Sequence, residues 1–248
     1  MKKLNRIGEN FITNEGYKIE IIECFGTNNC TVKFENGIKL INRRYEDIKR
    51  GEISNPNNRT INNIGYFGVG NYLSSINGVK QKHYSVWVDM IRRCYDEKMH
   101  IKNPTYKNCL VCNEWHNFQN FAKWFEDNFI NDCQLDKDIL IKGNKLYSPK
   151  TCLFVPHKIN YLLLKYDAKR GEYPIGVNYH KRIKKFRSNV SINGKAKHLG
   201  YFDTPEEAFN IYKIAKEQEI KKLANIYKET ITKECYEALI NYQVEITD

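Results

Sequence analysis

Leu199-Gly200-Tyr201-Phe202-Asp203-Thr204-Pro205-Glu206-Glu207-Ala208 ends a strand pattern and opens a helix. Thr204 is a natural N-cap, and Pro205 suits the first helical position with its fixed φ and missing N–H. Glu207 completes a capping box three residues after the cap. Downstream, Ala208, Ile211, Tyr212, Ala215 and Leu223 recur at helical spacing and predict one apolar face. Upstream the period is that of strands: Gly176 to Tyr179, a basic turn His180 to Lys185, Phe186 to Ile192, the turn Asn193-Gly194, and Lys195 to Phe202. In the middle strand Phe186, Ser188, Val190 and Ile192 fall on one side, with Arg187, Asn189 and Ser191 on the other. A three-stranded sheet backed by one helix buries the first set and leaves the second free.

Charge concentrates in the same region. The chain of 248 residues carries 40 Lys and Arg against 29 Asp and Glu, a formal net charge of +11 that favours a polyanionic partner. Between Lys165 and Gly200 ten Lys or Arg are opposed only by Asp167 and Glu172. The free sheet face is expected to carry Arg187 and Asn189, with Arg182, Lys184, Lys185, Lys195 and Lys197 available from the turn and strands. A twisted ribbon of this kind fits the major groove of duplex DNA, where Arg pairs with guanine, Asn with adenine, and Lys holds phosphates. A solvated sheet face is the alternative reading.

The stretch from Gly176-Val177 through Lys185-Phe186 to Leu199–Ala208, with Tyr212 and Ala215 after it, resembles the apetala/ethylene-response-factor type of DNA-binding domain over roughly Tyr173 to Ile226. The resemblance implies a sheet lying in the major groove with its helix behind. Asn178 stands where that family usually has Arg, and Phe186 where it usually has Trp, so base preference does not carry over.

Further upstream, Leu135-Asp136-Lys137-Asp138-Ile139, Asn144, Tyr147-Ser148-Pro149, Cys152–Pro156 and Asn160 resemble an HNH-type ββα finger of phage and mobile-element proteins. In an active finger a His at the end of the first strand takes a proton from water, and neighbouring side chains hold one divalent metal such as Mg²⁺. The resemblance puts the general-base position on Lys137, metal ligation on Asp136 or Asp138 and Asn160, and the loop Asn on Asn144. A charged Lys has no lone pair with which to accept a proton, and carboxylates on both sides favour its charged form. His157 is an alternative base. The reading is therefore a protein that binds double-stranded DNA. An HNH-type homing or nicking endonuclease is the first alternative, and a phage protein acting on a host nucleoprotein is the second.

The rest of the chain extends an α+β organisation in three parts: a small antiparallel β domain over 1–60, a middle HNH-like domain over 61–166, and the sheet-and-helix module over 167–248. In the first, Tyr17, Ile19, Ile21, Val32 and Phe34 alternate around Asn36-Gly37. Arg43-Arg44-Tyr45 and Lys49-Arg50 fit a phosphate-contacting patch and plain solvated charge equally well. In the second, one helix presents Tyr84, Trp87, Ile91 and Cys94, and another presents Phe118, Phe121, Ala122, Phe125 and Phe129, an aromatic stripe expected to be core. Thr230 to Val244 is loosely helical and expected to dock on the C-terminal module. Eight cysteines in a chain without an apolar leader are expected as reduced, buried thiols with no bridges, in an intracellular protein without membrane spans. Cys109, Cys112 and His116, with a fourth ligand from Cys94, Cys133 or Cys152, would make a zinc site, but Cys109–Cys112 reads as extended chain without a glycine knuckle, which disfavours it.

Overall fold

The computed structural model describes residues 5–163, 172–192 and 194–246. Lys165, the expected boundary at 166/167 and Asn193 of the expected turn lie outside the described residues. The chain is mixed α+β and divides into two compact units, one of Met1–Lys107 with Val111–Lys123 and one of Asn108–Leu110 with Trp124–Asp248.

The first unit opens with an antiparallel four-stranded sheet of β1 (Asn10–Ile12), β2 (Lys18–Cys24), β3 (Cys30–Phe34) and β4 (Lys39–Arg43), paired in sequence order. Alternation turns Ile19, Ile21, Val32 and Phe34 inward, where Ile48 of α1 (Tyr45–Lys49) and Ile53 close the core. The expectation of no disulfide is corrected here: Cys24 and Cys30 are bonded. They face each other as register partners at the adjoining ends of β2 and β3, with Cα atoms 4.0 Å apart.

Two small hairpins follow, β5 (Arg59–Ile61) with β6 (Gly65–Tyr66) and β7 (Ser75–Ile76) with β8 (Val79–Lys80). Next come α2 (Lys82–Tyr95) and α3 (Glu97–Lys102). As its spacing predicts, α2 buries Trp87, Ile91 and Cys94, together with Val88 and Met90. The Trp87 indole donates to the Trp115 carbonyl at 2.7 Å and lies over Gly65, where a Cβ would come within 2.8 Å of the ring.

After β9 (Leu110–Val111), the division between units falls inside α4 (Phe118–Asn128). Phe118 and Phe121 are fully buried in the first unit, whereas Phe125 and Phe129 meet Phe154 edge-on in the second. The aromatic stripe is core on both sides of that point.

In the second unit β10 (Cys133–Asp136) pairs antiparallel with β12 (Leu153–Pro156), β11 (Leu146–Tyr147) lies in the connection, and α5 (His157–Leu163) follows directly. β10 stops at Asp136. The Asp136 carboxylate accepts from the backbone N–H of Asp138 and of Ile139, at 2.7 and 2.8 Å, and bends the chain out of the ladder.

Near the C-terminus β13 (Val177–His180), β14 (Lys185–Ile192) and β15 (Lys195–Phe202) form the three-stranded antiparallel sheet, with β14 central. α6 (Pro205–Ile226) starts with the capping box read from Thr204 and Glu207, both of its hydrogen bonds formed. Its buried stripe contains Ala208, Phe209, Tyr212, Ile220, Leu223 and Ala224, whereas Ile211, expected inside, is 36% exposed. The stripe shifts toward Phe209 because α6 packs against α5 and α7 (Lys233–Ile240) as well as the sheet. Ile139, Leu153, Val155 and Ile159 of the hairpin-and-helix region share one hydrophobic cluster with Val190, Phe209, Tyr212, Ile220, Cys235 and Leu239. The ββα segment and the sheet module thus have a common core, and the C-terminal helix docks on it as expected.

Candidate nucleic-acid interface

Strand register sets which side chains share a face, since directly opposed residues in an antiparallel pair project to the same side. Arg187 is opposed by Asn178 on one flank and Tyr201 on the other, Lys185 by His180, and Asn189 by His198. These residues, with Ser191, make up the outer face. Val177, Ser188, Val190 and Ile192 lie on the inner face, and the three aliphatics join the core beneath α6. Gly176 permits this close packing. Its φ is +79°, and a Cβ there would come within 2.1 Å of the Tyr212 ring.

A bulge between Ser188 and Asn189 shapes the outer face. Ser188 is opposed by Gly200 and Asn189 by His198, which leaves Leu199 as the extra residue, packed against the core. The bulge puts both Tyr201 and His198 outside. It also reverses the expectation for two lysines: Lys197 is opposed to Val190 and Lys195 to Ile192, so both share the inner side instead of the free face. Strict alternation from Tyr201 would have put His198 inside and both lysines outside, so His180, His198 and Tyr201 were not anticipated as a group.

The outer face has internal order. The Arg187 Nε–H donates to Asn178 Oδ1 at 2.9 Å, and Tyr201 lies between the two histidines, 5.4 Å from His180 and 4.7 Å from His198 by ring centroids. Lys185 pairs with Asp203 at 3.0 Å, an exposed contact of small energetic weight. Arg182 and Lys184 are exposed in the β13–β14 turn, which Lys184 closes with a φ of +57° while the Ile183 N–H donates to His180 Nδ1. No Asp or Glu occurs from Tyr173 through Phe202.

The loop after β10 has the opposite character. Lys137 is 5% exposed, and its Nζ donates to both Asp138 oxygens at 2.8 and 2.7 Å and to the Asn144 carbonyl at 2.9 Å. Asn144 returns two bonds through Nδ2, to the carbonyls of Lys137 and Leu146. Asp136 is spent on the turn already described, and burial raises its pKa above the usual carboxylate range, the two backbone donors opposing the shift. The Asn160 amide donates to Gln134 Oε1 at 3.1 Å. The structure therefore joins Lys137, Asp138 and Asn144 in one self-satisfied network, and gives Asp136 and Asn160 partners of their own. An ammonium donating three hydrogen bonds has no lone pair for a proton.

No known protein family, curated protein or solved structure matches the chain.

The cysteine-rich stretch is explained by burial. His116 is hydrogen-bonded to the Val111 carbonyl at 3.1 Å, and burial raises the thiol pKa of both Cys109 and Cys112. Burial likewise pushes Cys152 and Cys235 up to about 12, which makes them unreactive apolar fillers at neutral pH. Among the described residues no group of His, Cys, Asp or Glu side chains is arranged to hold a metal ion, and no helix is long and apolar enough to cross a membrane.

Proposed function

We propose that the chain binds double-stranded DNA by laying the outer face of β13–β15 into the major groove. The observation that carries this reading is the register-matched array of Asn178, His180, Arg187, Asn189, His198 and Tyr201, in a strand region without a carboxylate. Arg187 is held by Asn178 and so is oriented before binding, which lowers the entropy lost in a bidentate contact to guanine. Asn189 offers the amide that pairs with adenine, and the exposed turn cations Arg182 and Lys184 supply phosphate contacts. The resemblance to the apetala-type domain supports the same placement.

The ββα order of β10, β12 and α5 favours an HNH-type fold for the hairpin region, and with it the endonuclease alternative. The Lys137 network weighs against catalysis there, so we assign that region to packing beneath the DNA-binding sheet. Gel shifts and plasmid nicking across a salt titration, with Mg²⁺ or EDTA, test both readings. Duplex binding that weakens steeply with salt and produces no nicks is the expected result, and Arg187→Ala should weaken specific binding by about 1 to 3 kcal/mol. Failure of the parent chain to bind duplex at low salt would remove the proposal, and metal-dependent nicking would restore the enzyme reading.

A further inference from the structure

From Glu52 to Asp89 the chain has no acidic residue between these two, while Arg59, Lys80 and Lys82 are present. Within this stretch Val69, Leu73, Ile76 and Val79 are 55%, 54%, 50% and 67% exposed. Ile76 and Val79 are direct register partners on either side of a tight turn whose Asn77 and Gly78 have φ of +49° and +78°. They make a two-residue aliphatic tip on the β7–β8 hairpin.

A lone two-stranded hairpin is marginally stable in water, but the base of this one is anchored. The side chain of Gln119, 7% exposed, accepts from Tyr72 N–H at 3.0 Å and donates to the carbonyls of Phe67 and Tyr72 at 3.3 and 3.0 Å. His83, stacked on Phe118 at 5.4 Å, is bonded to the Leu73 carbonyl at 3.1 Å, and the Gln81 N–H donates to the Ser74 carbonyl at 2.9 Å. The chain thus holds two solvent-facing aliphatic side chains in place at the end of a clamped support.

We infer that the β7–β8 hairpin is a second DNA-contacting element, a wedge that sets Ile76 and Val79 against base steps in the minor groove while Lys80 and Lys82 meet the flanking phosphates. Aliphatic wedges unstack and kink duplexes in this way, and the lack of carboxylates along the segment selects a polyanion over a protein surface of mixed charge. The inference rests on the DNA-binding reading given above and adds a contact in the first unit to that reading.

The test uses the full chain with two double variants, Ile76→Ala with Val79→Ala and Lys80→Ala with Lys82→Ala, whose thermal stability should match the parent because the altered side chains are exposed. Duplex affinity is measured across salt concentrations, and DNA bending by energy transfer between dyes at the duplex ends. The aliphatic variant should bind on the order of tenfold more weakly and lose the bend while keeping the parent's salt slope, since no phosphate contact is removed. The lysine variant should lower the salt slope by about 2. Parent-like affinity, bend and slope in both variants would overturn the inference. If the parent binds and Arg187→Ala weakens it while the hairpin variants do nothing, only the wedge fails. If the parent does not bind duplex at all, the underlying function fails first.

Discussion

Lys137 in the loop after β10 and Arg187 in the middle of β14 each meet an asparagine, yet their surroundings give them opposite roles. Lys137 gives its ammonium protons to Asp138 and Asn144 of its own loop and is shut off from solvent. Among the described residues Arg187 has only its Nε–H engaged, with Asn178, and lies on a half-exposed face among His180, Asn189, His198 and Tyr201. A polar side chain whose hydrogen bonds close within the fold contributes specificity of structure. One whose donors are held but incompletely used is available to a ligand.

The largest effect that would break this contrast is on the support beneath the outer face. Gly176→Ala should cost about 3 kcal/mol in urea unfolding, because it forces a side chain at positive φ into the Tyr212 ring. Loss of duplex binding should follow from loss of the fold. A parent-like midpoint would mean that Tyr212 does not back the sheet as described.

Lys137→Met should cost about 2 kcal/mol of stability, since the Asn144 carbonyl and the half-exposed Asp138 carboxylate lose their donor. Salt-dependent duplex affinity, measured where the variant is folded, should be unchanged. A selective loss of DNA binding would place Lys137 at the interface and erase the contrast.

Smaller effects are expected from Lys195→Ala and Lys197→Ala. Both lysines share the side of Ile192 and Val190, so each should weaken binding by less than Arg187→Ala and alter all sequences alike. If either relaxes sequence preference as Arg187→Ala should, the wrong face has been assigned.

The finest test is pH. The folded-state pKa of Asp136 is raised, so its contribution favours the fold below its unfolded value and is lost as pH rises through the folded one. Asp136→Asn, whose side-chain oxygen can still accept from the N–H groups of Asp138 and Ile139, should flatten that part of the stability profile and leave the protein no less stable at neutral pH. A variant that is less stable at neutral pH would show that the carboxylate charge itself holds the turn.

Much of the sheet-and-helix module was legible because its signals are local. The capping box at Thr204 and Glu207, the strand period through Phe186–Ile192 and the basic turn all involve residues a few positions apart, and the structure has each of them. Ile211 was misplaced because a helical period alone does not say how many neighbours a helix has, and α6 meets α5 and α7 as well as the sheet. The bridge between Cys24 and Cys30 was missed for a related reason. Composition argued for free thiols, whereas strand pairing brought these two face to face.

The amino-acid order was sufficient for the helix start, the strand periods, the aromatic core and the gathering of positive charge between Lys165 and Gly200, since these depend on near neighbours and on counting. Pairing between distant segments set the rest. The Leu199 bulge put His198 on the outer face and Lys195 and Lys197 on the inner side. The loop closure buried Lys137, and a shared core merged the ββα segment with the sheet. Register and burial are properties of residues brought together across the chain, and a single unpaired residue inverts every side chain beyond it.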